Sequence, residues 1–206
     1  MFTGIVQAVL PLARVDFHPG YRSFTLNFPE ELRAELKIGA SVALDGTCLT
    51  VVAIDGAAVR FDAVDGTLEI TNLADRVAGD RVNVERSFRP GDENGGHVVS
   101  GHVTGTAEIT ALDTTGARKF VSFRIPEDYR KYIFDKGFLA LNGASLTVAA
   151  ISGDGIHTIN LIPETIRQTS LSDYAVGDRL NFEVEAQTRV LVDTMERVMT
   201  RFLPKA

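Results

Sequence analysis

Cys48 and Ser145 stand at matching positions in two similar stretches, GTCLTVVAI from Gly46 and GASLTVAAI from Gly143, and each is followed two residues later by a threonine, Thr50 or Thr147. A thiol and a hydroxyl are nucleophiles or polarising groups when a base or a ligand stands beside them. In an extended chain Cys48 and Thr50 share one face while Leu49 points the other way, so a polar edge can meet a small ligand while the leucine fills a core. The competing readings are a buried filler cysteine and a ladder of hydroxyls inside a barrel. His102 is the clearest candidate proton carrier, because histidine titrates near neutral pH and its matched position holds Ile5. A satisfied structural histidine is the alternative. Lys136 opposite Gly39, Ser41 opposite Phe138, and Asn160 opposite Asp62 extend this unequal equipment on a matched frame.

The matching comes from a repeat that spans the chain. A shift of 97 carries Gly46 onto Gly143, Gly4-Ile5-Val6 onto Gly101-His102-Val103 and Pro29-Glu30 onto Pro126-Glu127. Beyond Gly56 the shift becomes 98, carrying Thr67 onto Thr165, Asp75 onto Asp173 and GDRVNVE from Gly79 onto GDRLNFE from Gly177. A period far above that of solenoid repeats means duplication of a whole small domain, and two sibling domains offer two sibling pockets.

Short alternating apolar segments punctuated by Gly, Asp and Pro read as strands: Phe24-Leu26-Phe28, Val42-Leu44, Leu49-Val51 and Val59-Phe61, then Val121-Phe123-Ile125, Leu139-Leu141, Leu146-Val148 and Ile159-Leu161. Several short strands in each half predict a closed barrel, because closure removes exposed edges. Short helices are expected over Glu30–Lys37 and Glu127–Asp135, and Asn94-Gly95-Gly96 reads as the turn joining the copies. From Ala186 to Phe202 no Gly or Pro occurs, and Leu191, Met195, Val198 and Phe202 make an apolar stripe on a helix with no counterpart in the first half. Packing on its own barrels and assembly between chains are both open to that stripe, and the missing counterpart favours assembly.

A net charge of −6 argues against nucleic acid or an anionic membrane as partner. With a single cysteine and no apolar window long enough to span a bilayer, a protein of the reducing cytoplasm is expected. His18, His97, His102 and His157 are not spaced as metal ligands, and no phosphate-cradling glycine motif follows a strand, so neither a metal nor a nucleotide is expected.

Taken in order, MFTGIV, GTCLTVV, GGHVVSGHV, KGFLALNGASLTV and NLIPETI make the whole chain resemble the riboflavin synthase family of the trimeric α-chain type. The resemblance implies an all-β fold of two tandem six-stranded Greek-key β-barrels plus a C-terminal α-helix, with lumazine-binding barrels over 1–96 and 97–185 and a trimerisation helix over 186–206. It implies a transferase: two molecules of 6,7-dimethyl-8-ribityllumazine exchange a four-carbon unit to give riboflavin and 5-amino-6-ribitylamino-pyrimidinedione, without a cofactor, at sites between the subunits of a homotrimer. Association with lumazine synthase is left open.

The residues implied as substrate contacts are Gly4, Ile5, Val6, Cys48, Leu49, Thr50 and the Asp62-to-Thr67 loop in the first barrel. In the second they are Gly101, His102, Val103, Lys136, Ser145, Leu146, Thr147, Asn160, Leu161, Ile162, Pro163, Glu164, Thr165 and Ile166. His102, Ser41 and Thr147 are the implied proton carriers for a lumazine C7 methyl group, and Cys48 the implied nucleophile or polariser. Two positions depart from the family pattern: Asp65-Gly66-Thr67 where Pro-Glu-Thr is expected, and Glu185 where Asp is expected. The alternative function is a fluorescent antenna or carrier of the same fold that binds a lumazine or flavin without converting it.

Overall fold

The computed structural model describes residues 1–202. The first six strands are β1 (Ala8–His18), β2 (Tyr21–Asn27), β3 (Ser41–Leu44), β4 (Thr47–Asp55), β5 (Ala58–Val64) and β6 (Arg81–Arg86). The second six are β7 (Gly105–Thr115), β8 (Arg118–Arg124), β9 (Phe138–Leu141), β10 (Ala144–Ile151), β11 (Ile156–Leu161) and β12 (Arg179–Val184). Each set closes into a barrel, in the ring order β1-β2-β5-β4-β3-β6 and, identically, β7-β8-β11-β10-β9-β12. Strands 3, 4 and 5 follow as hairpins while the sixth returns beside the third, which is a Greek key.

Alternation sets which side chains enter each barrel. On β5, Val59, Phe61 and Ala63 are buried, while Arg60 and Val64 are exposed. Phe24, Leu26, Val42, Leu44, Val51 and Val84 join the first core; Val121, Phe123, Leu139, Leu141, Val148 and Phe182 hold the same places in the second. Each such side chain contributes ~1.5–3 kcal/mol by leaving water.

The hairpins β3–β4 and β9–β10 turn on Asp45-Gly46 and Asn142-Gly143, all four residues with positive φ. This is the two-residue turn that suits the twist of paired strands. The two tips touch at the seam between the barrels, where a Cβ on Gly46 would fall 2.6 Å from the Gly143 nitrogen, so only glycine permits the approach.

Two helical expectations and one loop expectation are corrected. α1 (Glu30–Arg33) and α3 (Glu127–Arg130) are single turns rather than helices reaching Lys37 and Asp135. The chain leaves the helical conformation at Ala34 and takes positive φ at Glu35, and Leu36 then enters the first core; Tyr132 and Ile133 do the same in the second. The Asp62-to-Thr67 segment is not a loop: Asp62 lies within β5, and Asp65 opens α2 (Asp65–Ile70). Its counterpart is α4 (Pro163–Gln168), so Gly66 does not prevent the turn. α5 (Ala186–Phe202) is the expected terminal helix; residues 203–206 of that expectation lie outside the described residues. Among the described residues no helix is long and apolar enough to cross a membrane.

Candidate functional site: two reciprocal clefts

The segment leading into each barrel lies along the other barrel. Phe2 and Val99 pair as an antiparallel bridge, with Phe2 N to Val99 O at 2.7 Å and Val99 N to Phe2 O at 3.0 Å. On one side of this crossing the Ser145 N–H donates to Gly4 O at 2.8 Å; on the other the Cys48 N–H donates to Gly101 O at 2.9 Å. Gly4 and Gly101 have positive φ, and a Cβ on either would come within 2.6 Å of the Ser145 or Cys48 Cβ, respectively. Gly4-Ile5-Val6 therefore belongs to the Ser145 edge of the second barrel, and Gly101-His102-Val103 to the Cys48 edge of the first. This exchanges the grouping expected from sequence, which kept each glycine segment with its own copy. Long-range crossings of this kind leave no local signal, because each segment reads the same whichever barrel it joins.

Each crossing is fixed by a buried carboxylate. Glu85 accepts from Thr3 N at 2.7 Å, Thr3 Oγ1 at 2.8 Å and Gly4 N at 3.1 Å. Its counterpart Glu183 accepts from Ser100 N at 2.7 Å, Ser100 Oγ at 2.8 Å and Gly101 N at 3.0 Å. Burial pushes both carboxyls above the ordinary glutamate value, while these donors pull the other way. The backbone N–H of the next residue, Ile5 or His102, donates to the Thr3 or Ser100 hydroxyl.

At the first cleft, β4 presents half-buried Cys48 and exposed Thr50, and Ser41 lies directly across from Thr50 on β3. His102 is exposed and follows the glycine packed on Cys48, so three of the four predicted catalytic residues, His102, Cys48 and Ser41, gather on the first barrel. Thr147 does not join them; it lies on β10 opposite Phe138. Asp62 accepts from Ser23 Oγ at 2.7 Å, and Thr67 sits on the first turn of α2.

The second cleft is a cavity of about 490 Å³ lined by Gly4, Ile5, Val6, Gln7, Ala144, Ser145, Glu164, Thr165, Gln168 and Thr169. That is ample for a small heterocycle. α4 delivers Glu164, Thr165 and Gln168 to one wall, and Glu164 accepts from Gln168 and Arg167, which hold its carboxyl below the ordinary value. Asn160 Oδ1 is buried with no hydrogen-bond partner among the described residues. Lys136 points its Nζ at Ala149 O, 2.9 Å away, and is exposed. Leu49, Leu146, Leu161, Val6 and Val103 are buried, so they offer a ligand mainly backbone groups; Ile162 is exposed, Pro163 starts α4 and Ile166 packs on the second core.

Gln7, Ala144, Gln168 and Thr169 were not foreseen as lining residues, and His97, whose Nδ1 lies 2.7 Å from Ser145 Oγ behind that lining, was not foreseen as its partner. Proximity of Gln168 and Thr169 to Glu164 along a helix was the available signal for those two. His97 sits in the turn read as a simple join between copies.

Comparison with known proteins finds the same duplication. The Lumazine binding domain model matches twice, over residues 3–87 and 100–185. The riboflavin synthase of Escherichia coli strain K12 is 42% identical over 97% of this chain and 93% of its own length. That of Chlamydia trachomatis serovar D is 40% identical over 96% of each chain. Among solved structures, LumP complexed with 6,7-dimethyl-8-(1'-D-ribityl) lumazine superposes with a TM-score of 0.82 at 26% identity, covering 90% of this chain and 99% of that one. LumP complexed with riboflavin gives 0.82 at 28% identity, covering 90% and 100%. With two matched lumazine-binding repeats and full-length relatives at this identity, the chain belongs to the riboflavin synthase family.

Proposed function

We propose that this protein is a riboflavin synthase, a transferase that moves a four-carbon unit between two molecules of 6,7-dimethyl-8-ribityllumazine, releasing riboflavin and 5-amino-6-ribitylamino-pyrimidinedione. The observation that carries the reading is the pair of reciprocal clefts with matched frames and different side chains: Cys48, Ser41 and His102 at one, Ser145, Ile5 and Glu164 at the other. A reaction that uses one substrate in two roles calls for such a pair.

The chemistry follows from the substrate. The anion formed at the C7 methyl group delocalises into the lumazine ring, so a modest base suffices; His102 is that base, with the hydroxyls of Ser41 and Thr147 passing protons and Cys48 polarising the ring held on the first barrel. Backbone groups of Gly4 to Val6 and Gly101 to Val103 read the pyrimidinedione edges. Thr50, Asp62 and Thr67 in the first cleft, and Asn160, Thr165 and Glu164 in the second, hold ribityl hydroxyls; the unpartnered Asn160 Oδ1 gains a donor in doing so. The first cleft of one subunit faces the second cleft of a neighbour in a homotrimer joined through α5, and holding two rings face to face supplies an effective concentration of ~10⁵ M or more. The cytoplasm, where a free thiol stays reduced, is the compartment that suits Cys48.

Incubating the purified chain with the lumazine tests this: riboflavin accumulates with half the lumazine consumed appearing as riboflavin. Tight binding of lumazine and riboflavin without turnover would instead identify a carrier of the LumP type.

A further inference from the structure

His97 Nδ1 approaches Ser145 Oγ at 2.7 Å, and the surroundings hold the imidazole there. Its ring stacks on Phe138 with centroids 5.1 Å apart and planes inclined by 16°. The His97 backbone N–H donates to Thr3 O at 3.1 Å, and the residue is almost wholly buried, at 6% exposure. The preceding Gly96 is pressed so close that a Cβ would fall 2.8 Å from Ser145 Cβ. Burial keeps the imidazole neutral by lowering its pKa, against the pull of the Glu185 carboxylate. A neutral imidazole has one lone-pair nitrogen, and the atom facing the serine hydroxyl is Nδ1.

We propose that His97 is a positioning residue of the second cleft: its Nδ1 accepts the Ser145 hydroxyl hydrogen and thereby turns the Ser145 lone pairs toward the bound lumazine. Ser145 then receives a hydrogen bond from a ligand N–H or O–H instead of donating one. The first cleft has different parts at the corresponding places: Cys48 offers a thiol, a weak acceptor, where Ser145 stands, and Ser41 replaces the aromatic floor of Phe138. The two clefts are thus set to hold the same heterocycle with different hydrogen-bond polarity. This inference rests on the lumazine reading above for the identity of the ligand, while the His97–Ser145 polarity is a property of the chain alone.

The test uses the full-length chain with His97→Ala, His97→Asn, Ser145→Ala, Cys48→Ala and the double variants, following riboflavin formation and, separately, riboflavin binding by quenching of its fluorescence. Asn places an acceptor close to where Nδ1 stands. His97→Ala and Ser145→Ala are each expected to lose about tenfold, the scale of one hydrogen bond to a ligand, and together no more than either alone. His97→Asn recovers most of the loss, and His97→Ala combined with Cys48→Ala multiplies the separate losses. Multiplying losses for His97→Ala with Ser145→Ala, or wild-type behaviour of His97→Ala, overturns the proposal. ¹⁵N NMR of labelled histidine gives a readout that needs no turnover: at neutral pH His97 shows Nε2 protonated and Nδ1 as acceptor, and Ser145→Ala shifts the Nδ1 signal. A protonated Nδ1 overturns the proposal even if a variant fails to fold. Wild-type protein that forms no riboflavin but shows this tautomer would sink the functional reading and leave the positioning role standing.

Discussion

The carboxylate of Asp45, fully buried at the seam between the barrels, accepts from Arg76 Nη2 at 2.7 Å. One repeat later the same two positions hold Asn142 and Tyr174, whose amide donates to the hydroxyl at 2.6 Å. The seam thus carries an ion pair and its neutral version side by side, tied together by Asn72, Asn83 and Asn181. Burial pushes the Asp45 carboxyl up while Arg76 and the Asn83 N–H pull it back. Burial also opposes the Arg76 charge, and Asp45 together with Tyr174 more than offsets it.

Removing one partner of that pair strands a buried charge, at a cost of ~3–5 kcal/mol. Arg76→Met is expected to lower unfolding stability by about that much. The double variant Asp45→Asn with Arg76→Tyr, which copies the second half of the molecule, recovers most of it. Denaturant unfolding measures both; a double variant as unstable as the single one would mean that charge is not what matters at this seam.

The Glu85 and Glu183 clamps predict a pH dependence of definite sign. Their folded pKa values lie above the ordinary 4.5, so the folded protein holds protons there that the unfolded chain has released. Stability from these groups is therefore fully present below pH 4.5 and is lost as pH rises from there through the raised folded values. Glu85→Gln removes the Glu85 share of this slope but places an amide against three donors. It is expected to cost ~1–3 kcal/mol, a gap that changes with pH because the variant lacks the Glu85 slope, and to loosen the Gly4 segment of the second cleft. Denaturant midpoints across pH 4.5 to 7, wild type against variant, test it: parallel curves refute the assignment.

Much of this fold was legible because period-two alternation and Asp-Gly or Asn-Gly turns are local signals: Phe24, Leu26, Val59 and Phe61 enter the core as their spacing requires. The repeat picked out matched positions, Cys48 against Ser145 and His102 against Ile5, and the structure places them at the two clefts. What the sequence hid was pairing at a distance. Nothing local tells Gly101 that it packs on Cys48 rather than on Ser145, and nothing marks His97, within an apparent linker, as the partner of a hydroxyl 48 residues away.

The crossing of the glycine segments places His102 next to the glycine that packs on Cys48. His102→Ala is expected to lower kcat ~10²-fold or more, the usual worth of a proton carrier. Cys48→Ala lowers turnover less, and Cys48→Ser less again. Both His102 and Cys48 alanine variants turning over at the wild-type rate would refute their roles.

The terminal helix carries the last expectation. α5 is anchored to its own second barrel along one side: Val192 packs on the core, Tyr132 donates to Asp193 at 2.5 Å, and Lys131 pairs with Glu196 at 2.5 Å. At 100° per residue the opposite side presents Leu191, Met195, Val198 and Phe202, exposed by 64%, 52%, 45% and 72%. A continuous apolar stripe on an otherwise polar helix is stable in water only when covered, and matching stripes on copies of the chain cover one another. Met195→Glu places a charge in the middle of that stripe without touching the anchored side. Light scattering is expected to show a trimer for the wild type and the 22.4 kDa monomer for the variant. Riboflavin formation should fall with the trimer while each cleft still binds riboflavin weakly, because the clefts belong to one chain and their face-to-face pairing does not. A trimer that survives Met195→Glu places the interface elsewhere, and a fully active monomer removes the need for neighbouring subunits to complete the site.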